Sequence, residues 1–166
     1  PESAINSLGT DVLSKIIKDD QEGYRSPEDM FTKLRNGPCF DYIEMKITIP
    51  APANQAKLLI KTRNTLLSTI LLYEVVLASQ GIDALKWIDR MNTDPVYAGL
   101  FQSVYRLFSG ITVKLKKGDK WIQIDKINDV GPISYKQVAA VIPVENQNQL
   151  VVRLEFIPDN FIIDGR

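Results

Sequence analysis

The sequence predicts an α+β fold, with helices packed on one face of a mainly antiparallel sheet and a C-terminal four-strand meander. Three observations carry this. Apolar residues recur at helical spacing through much of the first two thirds of the chain. In the last third they switch to strict alternation. Gly, Pro, Asn and Asp punctuate nearly every change of pattern. All 166 residues read as one domain, without linker, repeat or low-complexity stretch.

The elements follow in order. Thr10 is placed to cap a short helix ending near Asp19, with Val12/Ile16 and Leu13/Ile17 at i,i+4 spacing. A charged loop follows, over 19–25. Ser26 reads as an N-cap before Pro27, with Asp29 at the capping-box position, and Met30, Phe31 and Leu34 form the apolar face. Gly37-Pro38 is expected to stop that helix. Residues 40–49 alternate as a strand, closed by Pro50 and Pro52. Residues 54–79 are expected to form one long helix, basic in its first half and almost wholly apolar in its second. The most apolar stretch, 66–78, is short for a bilayer and contains Glu74, so it is expected to be a buried helix and not a transmembrane segment. Gly81 breaks it, and a short helix carries Leu85, Trp87 and Ile88. Asp94-Pro95 opens a further helix whose apolar face runs Tyr97, Leu100, Phe101, Val104, Tyr105, Phe108, to Gly110. Four strands are then expected: from Ile111 to a Lys117-Gly118-Asp119 turn, over 121–127, over 134–142, and over 150–157.

Composition removes several chemistries. The chain has no histidine, which excludes Ser-His and Cys-His nucleophile pairs and histidine metal sites. No phosphate-binding glycine loop is present. The lone Cys39 fits a reducing, cytoplasmic compartment and a small apolar role. In the acidic loop, Gly23 is sixth only if Lys18 takes the first calcium position, where an oxygen ligand is needed. No cofactor, metal or catalytic residue is therefore assigned. Asp119, Asp125 and Asp129 leave a small carboxylate-based enzyme as the least favoured reading. The chain starts at Pro1 without a methionine, so a removed preceding segment is expected.

Charge is balanced overall, with 20 basic and 20 acidic residues, but unevenly placed. Residues 1–50 carry 6 basic and 9 acidic side chains, 51–126 carry 11 and 6, and 127–166 carry 3 and 5. Lys114, Lys116, Lys117 and Lys120 surround one turn beside Trp121, and Lys57, Lys61 and Arg63 form a second basic cluster. Cations beside an aromatic ring suit a phosphate-bearing surface, whether acidic lipid or nucleic acid. The same lysines would also protect an exposed hairpin from edge pairing. The terminal Phe161-Ile162-Ile163 needs cover: it either adds a strand to the domain or serves self-association with a neighbouring subunit.

Two stretches resemble the matrix proteins of rhabdoviruses. One is Phe40-Asp-Tyr-Ile-Glu-Met-Lys-Ile-Thr-Ile49, a strand feeding a long helix. The other is Arg106-Leu-Phe-Ser-Gly-Ile-Thr-Val-Lys-Leu-Lys-Lys-Gly-Asp-Lys-Trp-Ile-Gln-Ile-Asp125, a helix end, a lysine turn and a tryptophan strand. They cover about a fifth of the chain. The late-budding P-P-x-Y motif and a basic N-terminal tail are missing, and the strands after Gly131 have no counterpart. The resemblance implies a self-associating structural protein that bridges nucleocapsid and membrane, peripheral at the membrane or within a virion. The residues alone support a non-enzymatic assembly protein that self-associates and binds anionic surfaces. The alternative is an adaptor that binds a protein partner.

Overall fold

A computed structural model describes residues 1–18, 22–33, 40–50, 53–145 and 147–164. Leu34, Gly37, Pro38 and Cys39 lie outside this set, as do Asp19 and Asp20 of the acidic loop. The chain is α+β, with two antiparallel sheets and a helical segment inserted between strands.

The strands are β1 (Ser3–Asn6), β2 (Tyr24–Arg25), β3 (Asp41–Thr48), β4 (Gln55–Asn64), β5 (Ile111–Lys117), β6 (Lys120–Ile127), β7 (Lys136–Pro143), β8 (Gln149–Phe156) and β9 (Phe161–Asp164). The first sheet has the order β1-β3-β8-β5-β6 and the second β2-β9-β4-β7. Alternation decides which side chains face inward. Ile111, Val113 and Leu115 of β5 are buried, as are Leu150, Val152, Leu154 and Phe156 of β8. From the second sheet come Ile60, Ala140, Ile142, Phe161 and Ile163, and all of these join one core cluster. The two sheets therefore stack through their apolar faces as a sandwich. Each large side chain buried there contributes about 1.5–3 kcal/mol.

The four C-terminal strands form near their expected places but divide between the sheets. β5 and β6 make a hairpin, β7 crosses to pair with β4, and β8 returns to lie between β3 and β5. Crossing lets both sheets contribute an inner face, which a flat meander would not. Residues 55–64 correct a helical expectation. They form the ten-residue strand β4, with Ile60, Thr62 and Asn64 inward and Lys57, Leu59, Lys61 and Arg63 on the other face. Ser26 is corrected too. Its hydroxyl does not cap a helix but donates to Asp41 Oδ2 at 2.6 Å, and the described helix begins at Met30. Asp41, fully buried, also accepts from Ser7 (2.6 Å) and Tyr24 (2.7 Å), so its charge is met by hydroxyl donors. Burial and the adjacent carboxylate push the Tyr24 phenol well above its ordinary range.

The helical segment follows β4. A 27-residue run, Leu67–Thr93, is joined through Asp94 to a return helix, Pro95–Phe108. Asp94 caps the latter as the sequence indicates, accepting from the backbone N–H of Val96 (3.1 Å) and Tyr97 (3.0 Å). Those donors hold its carboxyl below the ordinary carboxylate range.

Candidate interaction site on the helical arm

The insertion leaves the sandwich and comes back to it. Its two roots meet at Asp129, in the loop after β6. Asp129 Oδ1 accepts from Asn64 Nδ2 and Gly110 N, both at 3.0 Å, and Oδ2 accepts from the Tyr105 hydroxyl at 2.7 Å. Asn64 Oδ1 in turn accepts from Val130 and Gly131. One carboxylate thus ties the end of β4, the end of the return helix and the start of β5 together. Partial burial and the Asp129 charge push the Tyr105 phenol up to about 12. The Lys126 ammonium donates to the Arg106 carbonyl, at the negative end of the return helix.

Beyond these roots the arm is uncovered. The stretch 66–78 is helical from Leu67 onward, but no residue from 67 to 108 is buried. This corrects the expected buried core helix: the core is built by two sheet faces instead. Fourteen large apolar side chains from Leu66 to Phe108 stand open to solvent, including Ile82 at 98% exposure, Val96 at 73% and Leu100 at 64%. A large side chain offers about 150–250 Å² when fully open, so this surface is on the order of 1,500 Å². The largest apolar patch on an ordinary monomer is about 300–600 Å².

The exposed residues are arranged, not scattered. On the return helix Val96, Leu100, Val104 and Leu107 recur every three or four residues and make one stripe. Leu66, Ile70 and Tyr73 repeat the same spacing at the start of the long run. Between the two limbs lies an apolar groove of about 360 Å³, lined by Leu71, Leu72, Val75 and Val76 on one side and by Phe101, Val104 and Phe108 on the other. The first-limb residues of this groove fall in a π-helical stretch, Leu71–Leu77, a rare geometry that recurs at functional sites. Farther out, Phe101 packs edge-on against Trp87 at 5.2 Å and Arg90 lies over Tyr97 at 4.0 Å.

By length and composition the run Leu67–Thr93 would suffice to cross a membrane. Its path is not straight, however. Gly81 has φ +53° and ψ −129°, which turns the chain between residues 80 and 84. The limb before the turn spans about 21 Å at 1.5 Å per residue, less than the ~30 Å bilayer core. The segment beyond carries Asp83, Lys86, Asp89 and Arg90.

The basic residues singled out in the sequence do not come together. Lys114 and Lys116 alternate with buried Val113 and Leu115, so they point from the outer face of the first sheet. Lys57, Lys61 and Arg63 point from the outer face of the second, on the opposite side of the sandwich. Several are already partnered. Lys114 pairs with Glu155 at 2.6 Å, Lys117 with Glu145, and Lys61 with Asp164 at 2.9 Å. Trp121 is half-buried against Arg153 (4.0 Å), which also covers Tyr42 (3.9 Å). Lys57 and Lys120 are exposed, and Lys116 lies 5.9 Å from the Trp121 ring centre. Phe161, Ile162 and Ile163 form β9, paired on one edge with β2 and on the other with β4. Of the two expectations for this segment, the strand within the chain's own sheet is the one observed. Phe161 and Ile163 are buried in the core. Asp119, Asp125 and Asp129 sit at a turn, within β6 and at the arm root respectively. Among the described residues no cluster of three His, Cys, Asp or Glu side chains is suited to a metal.

No family model, curated protein or solved structure matches this chain.

Proposed function

We propose that this chain is a non-enzymatic assembly protein, a β-sandwich body whose working element is the apolar helical arm. The observation that carries the reading is the uncovered surface on 67–108. An isolated helical hairpin of this size gains little from propensity alone and normally depends on tertiary packing of its apolar face. Here that packing is missing among the described residues, so another surface supplies it. The body is built to hold the arm in place: Asp129 fixes both roots while the core stabilises itself independently.

This shifts weight away from the basic clusters. With Lys114 and Lys117 already paired to carboxylates, the hairpin keeps Lys116 and Lys120 for an anionic surface. Two cations on one turn give only weak, salt-sensitive attraction to membrane or nucleic acid.

The test is an environment-sensitive hydrophobic dye added to highly diluted protein. Wild type is expected to enhance its fluorescence, and the double variant Leu100→Glu/Leu107→Glu to do so several-fold less. Both residues are exposed, so the thermal midpoint should hold. Equal dye response from both proteins would overturn the reading.

A further inference from the structure

The arm invites a more specific assignment, which rests on the reading above. We propose that its occupant is a second copy of this chain, joined arm to arm about a two-fold axis so that two hairpins complete a four-helix bundle.

Three features select this occupant. The first is area. A stable interface takes about 800 Å² from each partner. The arm offers on the order of 1,500 Å² of apolar surface, with a large side chain contributing about 150–250 Å² when open. The second is pattern. Two limbs, 67–80 and 95–108, each carry an apolar stripe and leave an apolar groove between them, with 84–93 packed on the outer half of the return helix, and two such pairs of limbs make a four-helix bundle. Under a two-fold operator the same patch serves both subunits, so one sequence can supply both halves. The third is charge. Residues 67–108 hold four acidic and three basic side chains, and Asp83–Lys86 and Arg90–Asp94 pair within the chain. The stripe itself, Val96, Leu100, Val104 and Leu107, is neutral. A seam along this stripe therefore buries none of these charges directly, while Glu74 on the first limb has to stay at its solvent edge. A lipid occupant is disfavoured by the turn at Gly81 and by the charged segment beyond it.

Sedimentation velocity from nanomolar to high micromolar concentration tests this. Wild type is expected to double in mass as concentration rises and then to stop. Leu100→Glu/Leu107→Glu is expected to remain monomeric throughout, and Leu100→Gln/Leu107→Gln, which adds no charge, to weaken association by at least tenfold. High salt should not dissociate the dimer. A wild type that stays monomeric overturns the second-copy assignment, as does a dimer that survives both substitutions or an open series of larger species. A monomer that floats with neutral phosphatidylcholine vesicles would identify lipid as the occupant. Failure here with an arm-dependent dye response would leave the assembly reading standing, whereas loss of the dye response removes both.

Discussion

The sandwich and the arm use the same apolar residue types to opposite ends. In the sandwich, Ile111, Val113, Val152, Leu154 and Phe156 are sealed between two sheets. On the arm, Ile70, Val75, Leu100, Leu107 and Phe108 are at least half open. Hydrophobicity alone therefore does not say whether a side chain stabilises its own fold. What decides is whether a second apolar face of matching shape lies opposite, and the sheets provide one for each other while none of the described residues provides one for the arm. The difference makes the body self-sufficient and the arm dependent, and substitution can measure the contrast directly.

The largest effect is expected in the body. Phe156 is buried at the centre of an aromatic cluster, edge-on to Tyr24 at 6.5 Å and to Phe161 at 6.0 Å. Truncation in Phe156→Ala removes packing from both sheets and leaves a cavity, at a cost of about 3–5 kcal/mol. For a chain of this size that is roughly 6–20 °C in thermal midpoint. A shift of only a degree or two would mean the sandwich core is not what holds the fold.

A smaller but more local effect is expected where the two regions join. Gly110 has φ +75°, and a Cβ there would fall against the Ile127 carbonyl oxygen, well inside van der Waals contact. Gly110→Ala thus strains the backbone and displaces a β5–β6 carbonyl, costing about 1–3 kcal/mol. Calorimetry with hydrogen exchange would locate the loss. The arm root should lose protection first, and uniform loss across both sheets would place the strain elsewhere.

Much of the body was legible in the sequence because alternation is a local signal. β3, β5 and β8 each show an inward row of Ile, Val, Leu, Met or Phe alternating mainly with polar residues, and Asp94-Pro95 marks its helix through backbone capping. β4 was not legible because Lys57 and Lys61 are four apart, a spacing that shares a face both on a helix and on a strand. The apolar run after Leu66 then drew the whole segment into one helix. Short edge strands such as Ser3–Asn6 lack any strong period. Which sheet a strand joins, and whether an apolar helix is covered, depend on distant partners and have no local signature. The basic clusters show the same limit: their spacing was visible, but Glu155, Glu145 and Asp164, which neutralise parts of them, lie far along the chain. Asp129 was noted as a carboxylate, while its role as an arm anchor needed Asn64, Tyr105 and Gly110 to be seen beside it.

The anchor yields a pH prediction. The Tyr105 phenol is raised from 10 in the unfolded chain to about 12 in the fold, so the native state holds its proton more tightly. Stability from this group is fully present below pH 10 and is lost as pH rises from 10 through about 12. The bond to Asp129 fails as the phenol ionises, and the arm root should loosen in that window. Tyr105→Phe removes the bond at all pH values for about 0.5–1.5 kcal/mol and should flatten that part of the alkaline profile. Hydrogen exchange of residues near Gly110 provides the readout. An unchanged alkaline profile in the variant would show that the Tyr105–Asp129 bond does not govern arm docking.

The smallest expected effect probes the comparison most sharply. Leu100 and Leu107 are each 64% exposed on the arm, and a buried leucine of the same size would cost about 2–5 kcal/mol on truncation to alanine. On the open stripe the methyl groups already meet water, so little transfer free energy is lost. Alanine is also the stronger helix former, so propensity opposes any destabilisation. Leu100→Ala/Leu107→Ala should therefore leave the unfolding free energy of the diluted chain within about 0.5 kcal/mol of wild type. The same pair should still weaken arm-to-arm association, because the lost packing lies between subunits. Denaturant titration at low and high protein concentration separates the two. A core-sized loss at low concentration would mean that the stripe packs within its own chain, and the division between a self-sufficient body and a dependent arm would fail.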